Sequence, residues 1–273
     1  MTDAGSTPPL VARTEAAEVV YPNGTRGLHA CSLHFRAGEF VVLLGASGAG
    51  KSTLLRLLNG LATPTRGAVL DAQDRSIADR AVLRRHRRRT GMVFQQHHLI
   101  DRLSVLQNVL IGRLGSRSLA ASLRPWTQPE KVLALSALAR VDLLDRALQR
   151  ADALSGGQQQ RVGIARALIQ APTLLLADEP VASLDPTTAE RLMSLLGSIC
   201  RADAMAVIVS LHQVDLALRH ADRIVGLKDG RVVFDGRPQD MDSQTRTRLY
   251  AAASPNTDEG APTATPATTR IAA

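Results

Sequence analysis

Phe40-Val41-Val42-Leu43-Leu44-Gly45-Ala46-Ser47-Gly48-Ala49-Gly50-Lys51-Ser52-Thr53 sets the frame for the whole chain. The apolar run at its start reads as a buried strand. It feeds directly into Gly45 to Ser52, which matches G-x-x-x-x-G-K-[ST] between a strand and a helix. That helix is expected over Ser52 to Leu61, with Leu54, Leu55, Leu57 and Leu58 on its apolar side. Glycines let successive backbone N–H groups turn inward, and the helix N-terminus adds the positive end of its dipole. Such a segment cradles phosphate. Lys51 is placed to reach the β- and γ-phosphates, and the Ser52 hydroxyl to ligate Mg²⁺. The candidate nucleotide contacts are therefore Gly45, Ala46, Ser47, Gly48, Ala49, Gly50, Lys51, Ser52 and Thr53.

Working outward, the chain alternates short apolar runs with helical stretches, the pattern of a mixed α/β domain. Strands are expected at Met92–Phe94, Leu174–Ala177 and Ala206–Val209. Two more, Arg223–Leu227 and Arg231–Phe234, flank Asp229-Gly230, a two-residue hairpin turn. Residues 100 to 170 lose the strand signal, and Lys131 to Leu148 carry Leu and Val at helical spacing. A mostly helical insert thus interrupts the sheet domain. Functional groups collect at strand C-terminal ends, where open α/β sheets bind ligands. Asp178 and Glu179 end the apolar run Leu174–Ala177. Asp178 is placed to support Mg²⁺ through water, and Glu179 to polarise an attacking water.

Leu154-Ser155-Gly156-Gly157-Gln158 is a second small-residue helix N-terminus, opening a helical run over Gln159 to Leu168. It offers free N–H groups to an anion that this chain does not itself supply. This segment resembles the signature of ABC cassettes. The resemblance spans about residues 13 to 250 and implies a P-loop NTPase core with a RecA-like mixed sheet, an antiparallel β subdomain and a helical ABC-specific subdomain. It also implies a head-to-tail homodimer, in which Ser155, Gly156, Gly157 and Gln158 of one copy grip the γ-phosphate of ATP held by the other. Gln95 looks like the Q-loop glutamine, a sensor of Mg²⁺ and water. Ser183-Leu184-Asp185 is similar to the D-loop that crosses the dimer interface. His212 matches the switch histidine on the γ-phosphate, and Tyr21 falls where the family stacks an aromatic ring on adenine. Glu179, His212 and Lys51 are then the expected catalytic groups, with Ser52, Gln95 and Asp178 around the metal.

Finer detail resembles the ATPase of phosphonate importers. Carrying that likeness are Leu57-Leu58-Asn59-Gly60-Leu61, Asn108-Val109-Leu110-Ile111-Gly112-Arg113-Leu114-Gly115 and Gln158-Gln159-Gln160-Arg161. So do Ala177-Asp178-Glu179-Pro180-Val181-Ala182-Ser183-Leu184-Asp185-Pro186 and Leu211-His212-Gln213-Val214-Asp215-Leu216-Ala217. The resemblance implies transmembrane permease subunits as partners and a periplasmic or extracellular phosphonate-binding protein acting through them. The chain would sit peripherally on the cytoplasmic face of the inner membrane. The sequence departs from the family pattern at Ala46, where Pro is common, at His97-His98, where Phe-Asn is usual, and in its basic run. Importers of other phosphate-like anions or of amino acids, and soluble ABC ATPases acting on nucleic acid, are the competing readings.

Composition narrows these. The 273 residues carry a formal charge of +8, 45% hydrophobic and 3% aromatic residues, so the core rests on Ala, Leu and Val. No stretch approaches the roughly 18 apolar residues that cross a bilayer, and Met1 to Arg13 lacks the pattern of a secretory signal. Residues 1–12 and 251–273 read as flexible tails around a cassette at 13–250. Cys31 and Cys200 lack metal-like spacing. Arg84, Arg85, Arg87, Arg88 and Arg89 concentrate the positive charge, and a nucleic-acid surface, a solvated helix face or contact with anionic lipid headgroups would explain them. No aromatic residue interleaves with the run, as stacking on single-stranded bases would require. Nucleic acid is therefore not an expected partner.

Overall fold

The computed structural model describes residues 7–96 and 98–250. The expected C-terminal tail, residues 1–6 and His97 lie outside these described residues. In chain order the elements are β1 (Leu10–Val20), β2 (Arg26–Cys31), β3 (His34–Arg36), β4 (Phe40–Leu44), α1 (Lys51–Leu58), β5 (Arg66–Asp71), α2 (Arg80–Arg88) and β6 (Thr90–Val93). Four helices follow: α3 (Val105–Ile111), α4 (Leu119–Ser122), α5 (Gln128–Ala139) and α6 (Gly156–Leu168). The chain then returns through β7 (Leu174–Ala177), α7 (Pro186–Ala202), β8 (Ala206–Leu211), α8 (Val214–His220), β9 (Arg223–Lys228), β10 (Arg231–Gly236) and α9 (Ser243–Tyr250).

Six strands form the central sheet in the order β10-β9-β4-β8-β7-β6. All its pairings are parallel except the β9–β10 hairpin. Phe40 to Leu44 form its middle strand and are fully buried. Because side chains alternate across a strand, they feed two cores. Phe40, Val42 and Leu44 face α6 and α7, while Val41 and Leu43 face α1 and the second sheet. Each such Val or Leu, fully buried, is worth about 1.5–3 kcal/mol.

The second sheet is antiparallel: β1 pairs with β2, β3 and β5. Its first strand begins at Leu10, three residues before the boundary read from the sequence, and Ala12 is already fully buried. The strand was hard to see because Arg13, Glu15 and Glu18 interrupt its apolar pattern. An antiparallel sheet with one solvated face tolerates such charges.

The helical segment between β6 and β7 packs α3 against α5 and α6. Capping boxes start all three: Ser104 with Gln107, Thr127 with Glu130, and Ser155 with Gln158. The expected helix through Leu148 instead stops at Ala139. Asp142 takes a left-handed φ of 56°, which turns the chain and lets buried Val141 and Leu143 close the subdomain core. The basic run proves to be α2, a helix just before β6. His86 points inward from it, hydrogen-bonded to the Leu58 carbonyl at 2.7 Å. Among the described residues, no helix is long and apolar enough to cross a membrane.

Candidate active site

Strand register decides which side chains meet. Leu44 lies level with Leu211, so Gly45 follows on β4 where His212 follows on β8. Ala177 lies level with Val209, which sets Asp178 beside Ser210. Val93 is level with Ala177, so Gln95 and Glu179 leave the sheet at the same edge. All these strands are parallel, and every one delivers its group to the carboxyl end.

The loop from Gly45 to Gly50 wraps the start of α1, and three glycines in it take positive φ: 154° at Gly45, 78° at Gly48 and 103° at Gly50. At Gly45 a Cβ would stand 2.2 Å from the Leu227 carbonyl oxygen, so no side chain fits. The β9–β10 turn, with Asp229 and Gly230 both left-handed as a type I′ turn requires, braces the loop from outside. Its Gly230 N–H donates to the Ala49 carbonyl at 3.0 Å, and its carbonyl accepts from His29 N–H at 2.8 Å.

Lys51 is only 4% exposed. Its ammonium donates to the carbonyls of Gly45 (2.8 Å) and Ala46 (3.1 Å) and lies 3.4 Å from His212 Nδ1. Glu179 Oε1 is 3.9 Å away. Burial pushes the Lys51 pKa down, opposed by the nearby Glu179 and Asp178 carboxylates. His212 Nε2 contacts the same Glu179 oxygen at 2.5 Å. Lys51, Glu179 and His212 thus form one cluster around the phosphate loop.

Beside it, Ser52 Oγ donates to Asp178 Oδ1 at 2.9 Å. Ser210 Oγ donates to the same oxygen at 2.8 Å and accepts from Glu179 N–H at 2.8 Å. Glu179 has a left-handed φ of 48°, a conformation that costs a non-glycine residue about 1–3 kcal/mol. Strain of this kind persists where surrounding contacts over-determine it. Here the Ser210 bond and the His212 contact hold the carboxylate over the loop.

Two groups in this site escaped the sequence reading. Ser210 carried a signal, as the lone polar residue in the apolar run Ala206–Leu211. Tyr250 carried none: from α9 its hydroxyl donates to the His212 carbonyl at 3.0 Å. Tyr21, read as an adenine platform, hydrogen-bonds Thr53 Oγ1 at 3.0 Å and packs beside Gly27, next to the loop. Gln95 is exposed at the sheet edge, with no hydrogen bond to Ser52 or Asp178 among the described residues.

The signature segment stands elsewhere. Ser155 caps α6 through its Oγ and Gln158 returns the bond to Ser155 N–H at 3.0 Å. Gly157 packs against Thr188 and Leu184, which ties this helix start to the exposed Asp185 capping α7. A Cβ on Gly156 would meet nothing within 4 Å, so its backbone face is open.

A glycine-walled phosphate loop, a buried lysine and a carboxylate pair at adjacent strand ends define a nucleoside-triphosphate hydrolase of the P-loop class. The chain belongs to the ABC transporter family, whose sequence profile matches residues 28–182. It is 56% identical over 255 residues to the "Phosphonates import ATP-binding protein PhnC 2" of Cupriavidus metallidurans, covering 93% of this chain and 91% of that one. It is 53% identical to the "Phosphite import ATP-binding protein PxtA" of Stutzerimonas stutzeri, covering 94% and 93%. Among solved structures it resembles the dimeric bacterial ABC transporter cassette MJ0796, with a TM-score of 0.73 and 35% identity over 83% of this chain and 98% of that one.

Proposed function

We propose that the chain is the ATP-hydrolysing subunit of an importer for phosphonates or related phosphorus oxyanions, working as a head-to-tail pair with two ATP molecules between the copies. The convergence of Lys51, Glu179 and His212 on the phosphate loop carries this reading. The names of the relatives supply the cargo, and the phosphite importer among them favours phosphorus oxyanions as a class.

The roles follow from position. Backbone N–H groups of Gly45 to Thr53 surround the phosphates, and the Lys51 ammonium exchanges its carbonyl partners for β- and γ-phosphate oxygens. Tyr21 stacks on the base. Ser52 and Asp178 offer oxygens held 2.9 Å apart, hard donors of the kind Mg²⁺ selects, and few enough to leave room for water and phosphate. They would hold the ion with Gln95, and a bound Mg²⁺ would supply neutralisation of phosphate charge. Glu179 accepts a proton from the attacking water, while His212 and Lys51 stabilise charge developing on the γ-phosphate. Ser155, Gly156, Gly157 and Gln158 of the second copy complete the γ-phosphate's shell, and Asp185 lies along the interface. Closure of the pair moves the permease subunits, and loss of the shared phosphate reopens it, a binding-driven population shift. The chain sits peripherally on the cytoplasmic membrane face, and a periplasmic or extracellular binding protein delivers cargo.

Reconstitution with its permease and binding protein in vesicles tests the proposal. ATPase activity should rise with phosphonates or phosphite and stay flat with amino acids or sulfate. Stimulation by an amino acid alone would remove the cargo assignment, and an assembled complex without ATPase activity would remove the hydrolytic one.

A further inference from the structure

Away from the nucleotide loop, a cavity of about 420 Å³ opens between α2 and the turn that follows α3. Arg80, Arg84, Arg87, Arg88 and Arg113 line it, over a floor that includes Leu83. The four α2 arginines stand at i, i+4, i+7 and i+8, which places them on one helix face. Among the described residues, no carboxylate lines this cavity.

Ordinary helix electrostatics accounts for part of the cluster only. Arg87 and Arg88 sit in the last turn of α2, where the dipole favours cations. Arg80 occupies the first turn, where the dipole opposes them, and Arg113 comes from another element. Two of the five are anchored by backbone. Arg87 donates to the carbonyls of Gly60 (2.6 Å) and Asn59 (3.3 Å), and Arg88 to that of Gly115 (3.3 Å). Arg80 and Arg84 make no hydrogen bond or ion pair among the described residues. Among the described residues, Arg113 Nε is buried without a partner, which leaves a donor desolvated with no acceptor. Glu130, whose charge Arg113 feels, is already engaged by Thr127 at 2.8 Å and Arg117 at 3.3 Å.

Five arginines line one cavity whose lining holds no carboxylate, the nearby Glu130 being engaged elsewhere, so their like charges repel and a bound anion reverses the sign of that interaction. The planar, forked donors of arginine match a tetrahedral oxyanion bidentately. The cavity falls in the range of small-ligand sites, and Leu83 with the arginine stems gives it an apolar floor. We propose that this cavity is an oxyanion site, taking a soluble phosphorus dianion such as a phosphonate or phosphate monoester with a small apolar substituent. It is separate from the nucleotide cradle and stands whether or not the transport reading holds.

Isothermal titration tests it on the full chain carrying Lys51→Ala, which silences the cradle. Probes are phenylphosphonate, phenyl phosphate, inorganic phosphate, sulfate, an Asp/Glu-rich peptide and vesicles containing phosphatidylglycerol. Saturable binding of one phosphorus dianion per chain is expected, weakening with salt and tighter for the phenyl compounds than for phosphate. Adding Arg84→Gln and Arg113→Gln should cut affinity at least about tenfold, the loss of one or more charge-assisted bonds. Arg85→Gln, on the other side of α2, should leave it unchanged. If the double variant melts early, Arg84→Gln alone replaces it, because Arg84 makes no structural bond. Absence of saturable binding, equal loss in Arg85→Gln, or binding confined to the vesicles or to the acidic peptide would overturn the proposal.

Discussion

The phosphate loop and the signature segment are both glycine-opened helix starts, yet they are furnished differently. Around Gly45 to Ser52 the chain supplies a lysine, two carboxylates, a histidine and a bridging serine, all within hydrogen-bonding or ion-pairing reach. Around Ser155 to Gln158 it supplies only a cap: the side chains satisfy their own helix start, and the Gly156 face is open. One region gathers the groups that we propose hold and cut a triphosphate's end. The other, in the same proposal, receives an anion that a second copy presents. The difference argues for a site divided between two copies; three substitutions test that division, and a fourth tests the support behind its histidine.

Glu179→Gln has the largest expected effect. Removing the proposed base should slow hydrolysis about 10²–10⁴-fold while ATP still draws two chains together, so size-exclusion chromatography with ATP should show a persistent dimer. A monomeric elution profile would break the comparison at its stronger end.

Gly156→Asp attacks the other region. The position has space for a side chain, and an acid in the first turn suits the helix dipole, so the melting temperature should hold. In the proposed pairing it would face the partner's γ-phosphate, where a carboxylate costs several kcal/mol of like-charge repulsion. ATP-driven pairing and hydrolysis should then fall about 10²-fold or more, with nucleotide affinity of the single chain unchanged. Lys51→Ala should do the reverse, weakening single-chain ATP binding at least about tenfold through lost charge-assisted bonds. Fluorescent-nucleotide titration of both variants reads the contrast directly, and equal losses in the two would collapse it.

Tyr250→Phe gives the smallest effect. It deletes one hydrogen bond to the His212 carbonyl, worth about 0.5–1.5 kcal/mol. Thermal melting should fall by about 2–4 °C for each kcal/mol, with turnover reduced only a few-fold. An unchanged melting curve would show that α9 does not brace the histidine.

Much of the central sheet was legible because apolar runs of four to six residues end in polar motifs. Leu174–Ala177 ends at Asp178, and Phe40–Leu44 at Gly45. Such a pattern leaves a buried strand little freedom. The β-rich flank was less legible, since β1 alternates charge with burial and its partners are remote in sequence. The end of α5 was misread because Leu144 and Leu148 continue a helical spacing although both are exposed. Periodicity reports what a helix could bury, and only packing decides whether it does.

The sequence by itself determined the phosphate loop, the carboxylate pair, the signature start and the mixed α/β class, because each is a local pattern whose chemistry is contained in a few adjacent residues. Tertiary structure alone decided what spans the chain. It placed His212 and Lys51, 161 residues apart, 3.4 Å from each other. It gave Ser210 its bridge between Asp178 and Glu179, brought Tyr250 behind the histidine, and gathered arginines from two elements around one cavity. Strand register and helix packing make these contacts, and both are settled only when the whole sheet closes on its two cores.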